Sequence, residues 1–197
     1  MSPRSAEQFE LIREKSKKKI IRVALRLFAH NGYHATSVSM IAAKAKISKG
    51  LLYNYFNSKE DLLIEISEMI MNELADLIKN VSAEKDSEKK IEKIIRGSVE
   101  HLKENSSTWR FYLLLLQQGD AAKKMKPVLS RFREEAVKNI SGIFEELKYP
   151  EPLMEAFALG IELDGIGINY LAAPENFPLN EIVNHLINRH KKINKGK

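Results

Sequence analysis

The twelve residues from Ser48 to Lys59 combine hydroxyl, amide and ammonium groups and contain no carboxylate. Lys49 can reach a base edge or a phosphate, and Asn54 can make the paired contact that suits adenine. Ser48, and the start of the helix it caps, can donate to phosphate. Tyr53 and Tyr55 offer hydroxyls to the same acceptors. Gly50 lets a backbone approach without an intervening side chain. Lys59 can clamp a sugar–phosphate chain. This is chemistry for a polyanion whose edges carry information, which is double-stranded DNA. Each residue alone has a plainer reading: tyrosines as core aromatics, lysines as solvated charge. The set in register favours DNA. Charge along the chain agrees, since residues 1–60 carry +8 and the remainder −2, for a net +6.

Presenting these groups requires two short helices around a tight turn. Thr36 and Ser37 can cap a helix over 37–44, and Ser48 one over 49–55. Ile41, Ile47, Leu52 and Phe56 have the spacing of a shared core, with Ala42 and Ala45 small where helices approach. That is the layout of a helix-turn-helix. A helix over 9–30, closed by Asn31-Gly32, precedes it. Its basic stretch Arg13–Lys19 is either an arm or helix that touches an adjacent groove, or a solvated extension. Ser58 and Asp61 resemble a capping box that starts a long helix over 59–80. Residues 82–90 read as a polar connection. Further helices are expected over 88–104, 107–118, 127–148, 152–172 and 179–192, with Pro127, Pro152 and Pro178 near helix starts. No segment alternates long enough to make a strand.

The run Ala29-His30-Asn31-Gly32-Tyr33, Thr36-Ser37-Val38, Ile41-Ala42, Ala45, Ile47-Ser48, Leu52-Tyr53-Asn54-Tyr55-Phe56 and Lys59-Glu60-Asp61-Leu62 resembles the TetR family of bacterial regulators. The likeness covers about residues 18–64. It implies an all-α protomer of about nine helices, with a DNA-binding domain over 1–60 and a ligand-binding and dimerisation domain over 61–197. It implies a homodimer on a palindromic operator, most often a repressor released by a small molecule. It also implies DNA contacts at Thr36, Ser48, Lys49, Gly50, Tyr53, Asn54, Tyr55 and Lys59. Two positions depart from the family. Lys46 stands where the turn usually has Gly, and its charge is expected to face phosphate. Leu51 stands where a small or polar residue is usual, and could meet a thymine methyl.

The C-terminal two-thirds is less explicit. Ala156, Gly160 and Gly167 share a face of the eighth helix, and Ile182, Val183, Leu186, Ile187 and His190 form a stripe on the ninth. Either these helices pair with their counterparts in a dimer seam, or the glycines mark an internal crossing or kink; the resemblance favours the seam. His101, Trp109, Tyr112, Phe132, Phe144 and Phe157 are candidates to line a pocket for a hydrophobic effector. Gln117, Gln118 and Asp120 are candidates for its polar end.

The chain has no cysteine, which excludes disulfides, zinc–thiolate sites, iron–sulfur clusters and a cysteine nucleophile. The five histidines lack metal-binding spacing, and no nucleophile or phosphate-cradling motif is present. No catalytic residue, metal or cofactor is therefore expected. No apolar run reaches the roughly 20 residues of a membrane span, and no signal-peptide core is visible, so the cytoplasm is the expected location. The alternatives are a ligand-independent or activating helix-turn-helix regulator and, more remotely, a helical enzyme.

Overall fold

The computed structural model describes residues 6–117 and 119–193, and among them the regular structure is helical, with no strand. The helices are α1 (Ala6–Asn31), α2 (Val38–Ala45), α3 (Lys49–Tyr53), α4 (Lys59–Asn80), α5 (Ser87–Glu104), α6 (Ser106–Gln117), α7 (Gly119–Glu146), α8 (Pro152–Ala172) and α9 (Leu179–Ile193). A short 3-10 turn, Val81–Ala83, follows α4.

Contacts divide the chain into two compact units. One holds the residues up to Met69 with Arg110–Met125; the other holds Ile70–Trp109 with the residues from Lys126 onward. A boundary after residue 60 leaves part of α4 and most of α6 out of the first unit. They belong to it because Ile66 is fully buried and Phe111 stacks on Phe28 with centroids 6.0 Å apart.

The helix ends follow local chemistry. Ser37 accepts from Met40 N and Ser48 from Leu51 N, each capping its helix. Ser58 accepts from Asp61 N, while the Asp61 carboxylate accepts from Asn57 N and from the Ser58 hydroxyl. Asp86 caps α5 by accepting from Glu88 N and Lys89 N, so the last four residues of the expected polar connection, 87–90, are helix. Gly32 (φ 82°) closes α1. Two lysines do the same for other helices. Lys46 (φ 59°) ends α2, with Ile47 N donating to Ala42 O and Lys46 N to Ala43 O. Lys148 (φ 59°) ends α7, with Tyr149 N donating to Phe144 O and Lys148 N to Glu145 O. Both are the paired bonds of a left-handed helix stop.

One proline departs from expectation. Pro127 lies inside α7, not at its start. The preceding Gly119–Lys126 run is rich in Ala, Lys and Met, strong helix formers, and Met125 within it is fully buried. The helix therefore begins upstream and tolerates the missing N–H.

Candidate nucleic-acid interface

The first unit is built around α1, α2 and α3. Ile20, Ala24 and Phe28 of α1, Ile41 and Ala45 of α2, and Leu52 and Phe56 are all nearly fully buried. These contacts hold α2 against α1 and α3 against α2. Ile47, expected in that core, is half-buried.

The opposite side of α3 is open. Ser48, Lys49, Gly50, Leu51, Tyr53 and Asn54 are exposed, and Tyr55 is half-buried beside the Phe56 ring. Lys49 Nζ lies 6.0 Å from the centre of the Tyr53 ring, so the cation and the phenol share one surface. A Cβ built on Gly50 meets nothing within 4 Å; no packing inside the protomer demands glycine there. Ser48 uses its lone pairs to cap α3 and keeps its hydroxyl hydrogen to donate outward. Asn54 N–H closes α3 onto Gly50 O and Leu51 O, leaving its side-chain amide outside the cap. Lys46 is exposed at the turn. Met40 of α2 is also exposed. It falls outside the 38, 41, 42, 45 spacing that marks the α2 core, and that was the available signal for it.

Two expected contacts are placed differently. Thr36 is fully buried, and its hydroxyl bonds Gly32 O at 2.9 Å and Leu27 O at 3.2 Å. It latches the end of α1 and presents nothing to a polyanion. Lys59 is half-buried. Its ammonium donates to Tyr33 O at 2.9 Å and Thr36 O at 3.0 Å, and stands 4.3 Å from the centre of the Tyr33 ring. Its charge organises the α1–α2 turn and is not free to clamp a sugar–phosphate chain. Beside it, the Lys124 ammonium 2.8 Å from the Glu60 carboxylate holds that acid down to about 2. The Tyr33 hydroxyl is buried near the Glu60 carboxylate; burial first, then the Glu60 charge, pushes its pKa up.

In the second unit the candidate ligand residues do not converge. Trp109 Nε1 donates to His101 Nδ1 at 3.3 Å, and His101 Nε2 lies 3.4 Å from Glu73 Oε2. Phe144 is fully buried elsewhere, against Tyr149 and His190. Tyr112 belongs to the first unit, and Phe132 is half-buried on α7. Phe157 is exposed and lines a groove of about 720 Å³ between α7 and α8, with Val137 and Leu153. Gln118 lies outside the described residues, and Asp120 is exposed.

The expected dimer seam is likewise corrected. Ala156, Gly167, Val183, Leu186, Ile187 and His190 are buried inside the protomer. A Cβ on Gly167 would sit 3.2 Å from Trp109 Cε3, so this glycine serves an internal crossing. Ile182 is half-buried, and Gly160 alone of the expected set is exposed.

An acid-free, exposed short helix, held across a left-handed turn by a partner helix whose inner face is buried on α1, defines a helix-turn-helix DNA-binding module. Residues 20–66 match the family model described as bacterial regulatory proteins, tetR family. The likeness to that family covers those residues, and the curated relatives that the chain matches are named as transcriptional regulators. The chain is 34% identical over 170 residues to the uncharacterized HTH-type transcriptional regulator YuxN of Bacillus subtilis, a match covering 80% of this chain and 54% of that protein. It spans about half or less of the length of the first curated relatives it matches. Among solved structures it resembles the fatty acid degradation regulator FadR from Bacillus halodurans (TM-score 0.77, 24% identity, 91% of this chain and 98% of that one). It also resembles FadR from Bacillus subtilis in complex with stearoyl-CoA (TM-score 0.75, 20% identity, 88% and 96%). Among the described residues, no helix is long and apolar enough to cross a membrane.

Proposed function

We propose that this chain is a cytoplasmic repressor that binds a palindromic operator as a homodimer and is released by a small hydrophobic effector. The observation that carries DNA binding is the open face of α3: Ser48, Lys49, Gly50, Tyr53 and Asn54 exposed together, without a carboxylate, on a helix seated by Leu52. Lys46, Tyr55 and the methyl-bearing Leu51 extend that face. Selection of bound sequences from a random duplex pool tests it. The wild type should enrich a palindrome, and the Lys49→Ala/Tyr53→Ala variant should not. Failure of the wild type to enrich any sequence rejects operator recognition.

A dimer is favoured by a feature of α8. Met154, Phe157, Ile161 and Ile168 recur at i, i+3, i+7 and i+14, on one face, and each is at least 40% exposed. Such a stripe, about 21 Å long, is expected to be covered by a partner. A second copy supplies the same stripe by symmetry. Support for a hydrophobic effector comes from the FadR structure bound to stearoyl-CoA and from the α7–α8 groove, where Val137, Leu153 and Phe157 are flanked by Arg133, Glu134, Lys138 and Glu145. Release would follow if the effector favoured a dimer whose α3 helices no longer match major grooves about 34 Å apart, with α4 carrying the change. Operator affinity unchanged at saturating long-chain acyl-CoA would reject that effector class.

A further inference from the structure

The first half of α1 is a helix without a hydrophobic reason to be one. From Glu7 to Lys19 no described side chain is buried; the core begins at Ile20 and Ile21. Lys17 ties this stretch down, bonding Glu65 at 2.9 Å and standing 5.9 Å from the centre of the Phe56 ring. On the other side of the helix lie Lys15, Lys18, Lys19, Arg22 and Arg26, at i, i+3, i+4, i+7 and i+11. At 100° per residue they fall within an arc of about 100° and extend about 16 Å. All five are exposed, and none is in an ion pair among the described residues. The acids of the same segment, Glu7, Glu10 and Glu14, lie outside that arc. The cations are therefore gathered, without an ion-pair partner among the described residues, on one exposed face of α1 that runs from the stretch before the core (Lys15, Lys18, Lys19) into its packed part (Arg22, Arg26).

We infer that this stripe is a second nucleic-acid surface, which grips the phosphates of duplex DNA flanking the sequence that α3 reads. The inference rests on the DNA-binding reading above. A row of cations of this length spans about five base pairs of backbone. It carries no sequence information, because lysine and arginine on phosphate position a protein without reading bases. An anionic membrane is less well suited. The stripe has exposed apolar residues only at its N-terminal end, Leu11 and Ile12, and its opposite face from Ile20 onward is already used by the core.

The test compares the full-length wild type with Lys15→Gln/Lys18→Gln/Lys19→Gln/Arg22→Gln on a duplex of about 45 base pairs, centred on the selected palindrome, across a salt series. Glutamine keeps helix propensity and removes charge. Each phosphate contact contributes about 0.9 to the slope of log affinity against log salt. The proposed homodimer carries the four substitutions twice, so the slope should fall by about 4–7 and the affinity by about 100-fold or more at moderate salt, while the enriched palindrome stays the same. Lys18→Gln/Arg22→Gln should give about half the slope change. A control that removes equal charge elsewhere, Lys85→Gln/Lys103→Gln/Lys126→Gln/Lys138→Gln, should leave the slope within one unit of wild type. Equal slopes for wild type and stripe variant overturn the inference. So does a stripe variant that loses binding only to phosphatidylglycerol vesicles. If the wild type enriches no palindrome, operator recognition fails separately, and the same slope change is then expected on mixed-sequence duplex.

Discussion

Lys46 shows how a single residue can serve two demands. Its φ of 59° and ψ of 47° place it in the left-handed region, where a Cβ costs about 1 kcal/mol relative to glycine. Its backbone closes α2, and its exposed charge stands at the turn before α3. Lys46→Gly should therefore raise unfolding stability by about 1 kcal/mol in urea titration and weaken operator binding several-fold. A variant that binds DNA more tightly would reject a phosphate-facing role. Lys59 shows the opposite outcome. It is a cation of the right type in the right register, but three neighbouring groups have claimed it: two carbonyls that would otherwise lack a donor and the face of Tyr33. Thr36 is similar, with a hydroxyl satisfied twice inside the fold. Type and spacing made both look like contacts; only the position of the α1–α2 turn shows that they hold the interface together from behind.

At the scale of elements, α8 carries two kinds of glycine. A Cβ built on Gly167 would stand 3.2 Å from the Trp109 ring, and that indole is held in turn by His101. Gly160 has nothing within 4 Å of a built Cβ. Gly167→Leu should lower the protomer's stability by several kcal/mol, because the crowding falls on a fixed ring. Gly160→Ala should raise it by about 1 kcal/mol through helix propensity. If the proposed homodimer forms through α8, Gly160→Leu, measured by light scattering with concentration, should shift it toward monomer; an unchanged assembly would remove α8 near Gly160 from the interface. The α8 sequence is apolar on more than one side, so its periodicity cannot say which side meets the protomer and which meets a partner. α9 has a sharper stripe, yet most of it is claimed by its own chain: Val183, Leu186, Ile187 and His190 are all within 4% of full burial, and Ile182 is half-buried.

At the scale of the whole molecule, pH dependence of stability should carry a signature from His190. This imidazole is buried against Phe144 and Tyr149, and the Tyr149 hydroxyl donates to His190 O at 3.0 Å. Its Nε2 is buried without a partner. Burial, then the Arg189 charge, lowers its pKa, with Glu162 opposing. A histidine lowered on folding binds its proton more readily unfolded. Its contribution is fully present above the ordinary value near 6.5 and is lost as pH falls below that value toward the folded one. Urea unfolding in steps from pH 7.5 to 5 should show stability falling below about 6.5. His190→Asn should flatten that segment, though it is less stable at pH 7.5. An unchanged slope would assign the dependence to another group.

The DNA-binding module was legible from residues alone because each of its determinants is local. Caps lie within three residues of what they cap, the turn is three residues long, and the core spacing repeats within twenty. The acid-free run from Ser48 to Lys59 needs no fold to be seen. The rest of the chain was legible as helices, with α4, which the two units share, and α8 at their expected limits, because stops and caps are local as well. What tertiary structure alone decided is which face of each helix is spent inside the chain. Trp109 claims Gly167, Phe144 and Tyr149 claim His190, and the turn carbonyls claim Lys59. Burial is a competition among surfaces distant in sequence, and an apolar or cationic side chain looks the same in the sequence whether a neighbour takes it or leaves it for a partner.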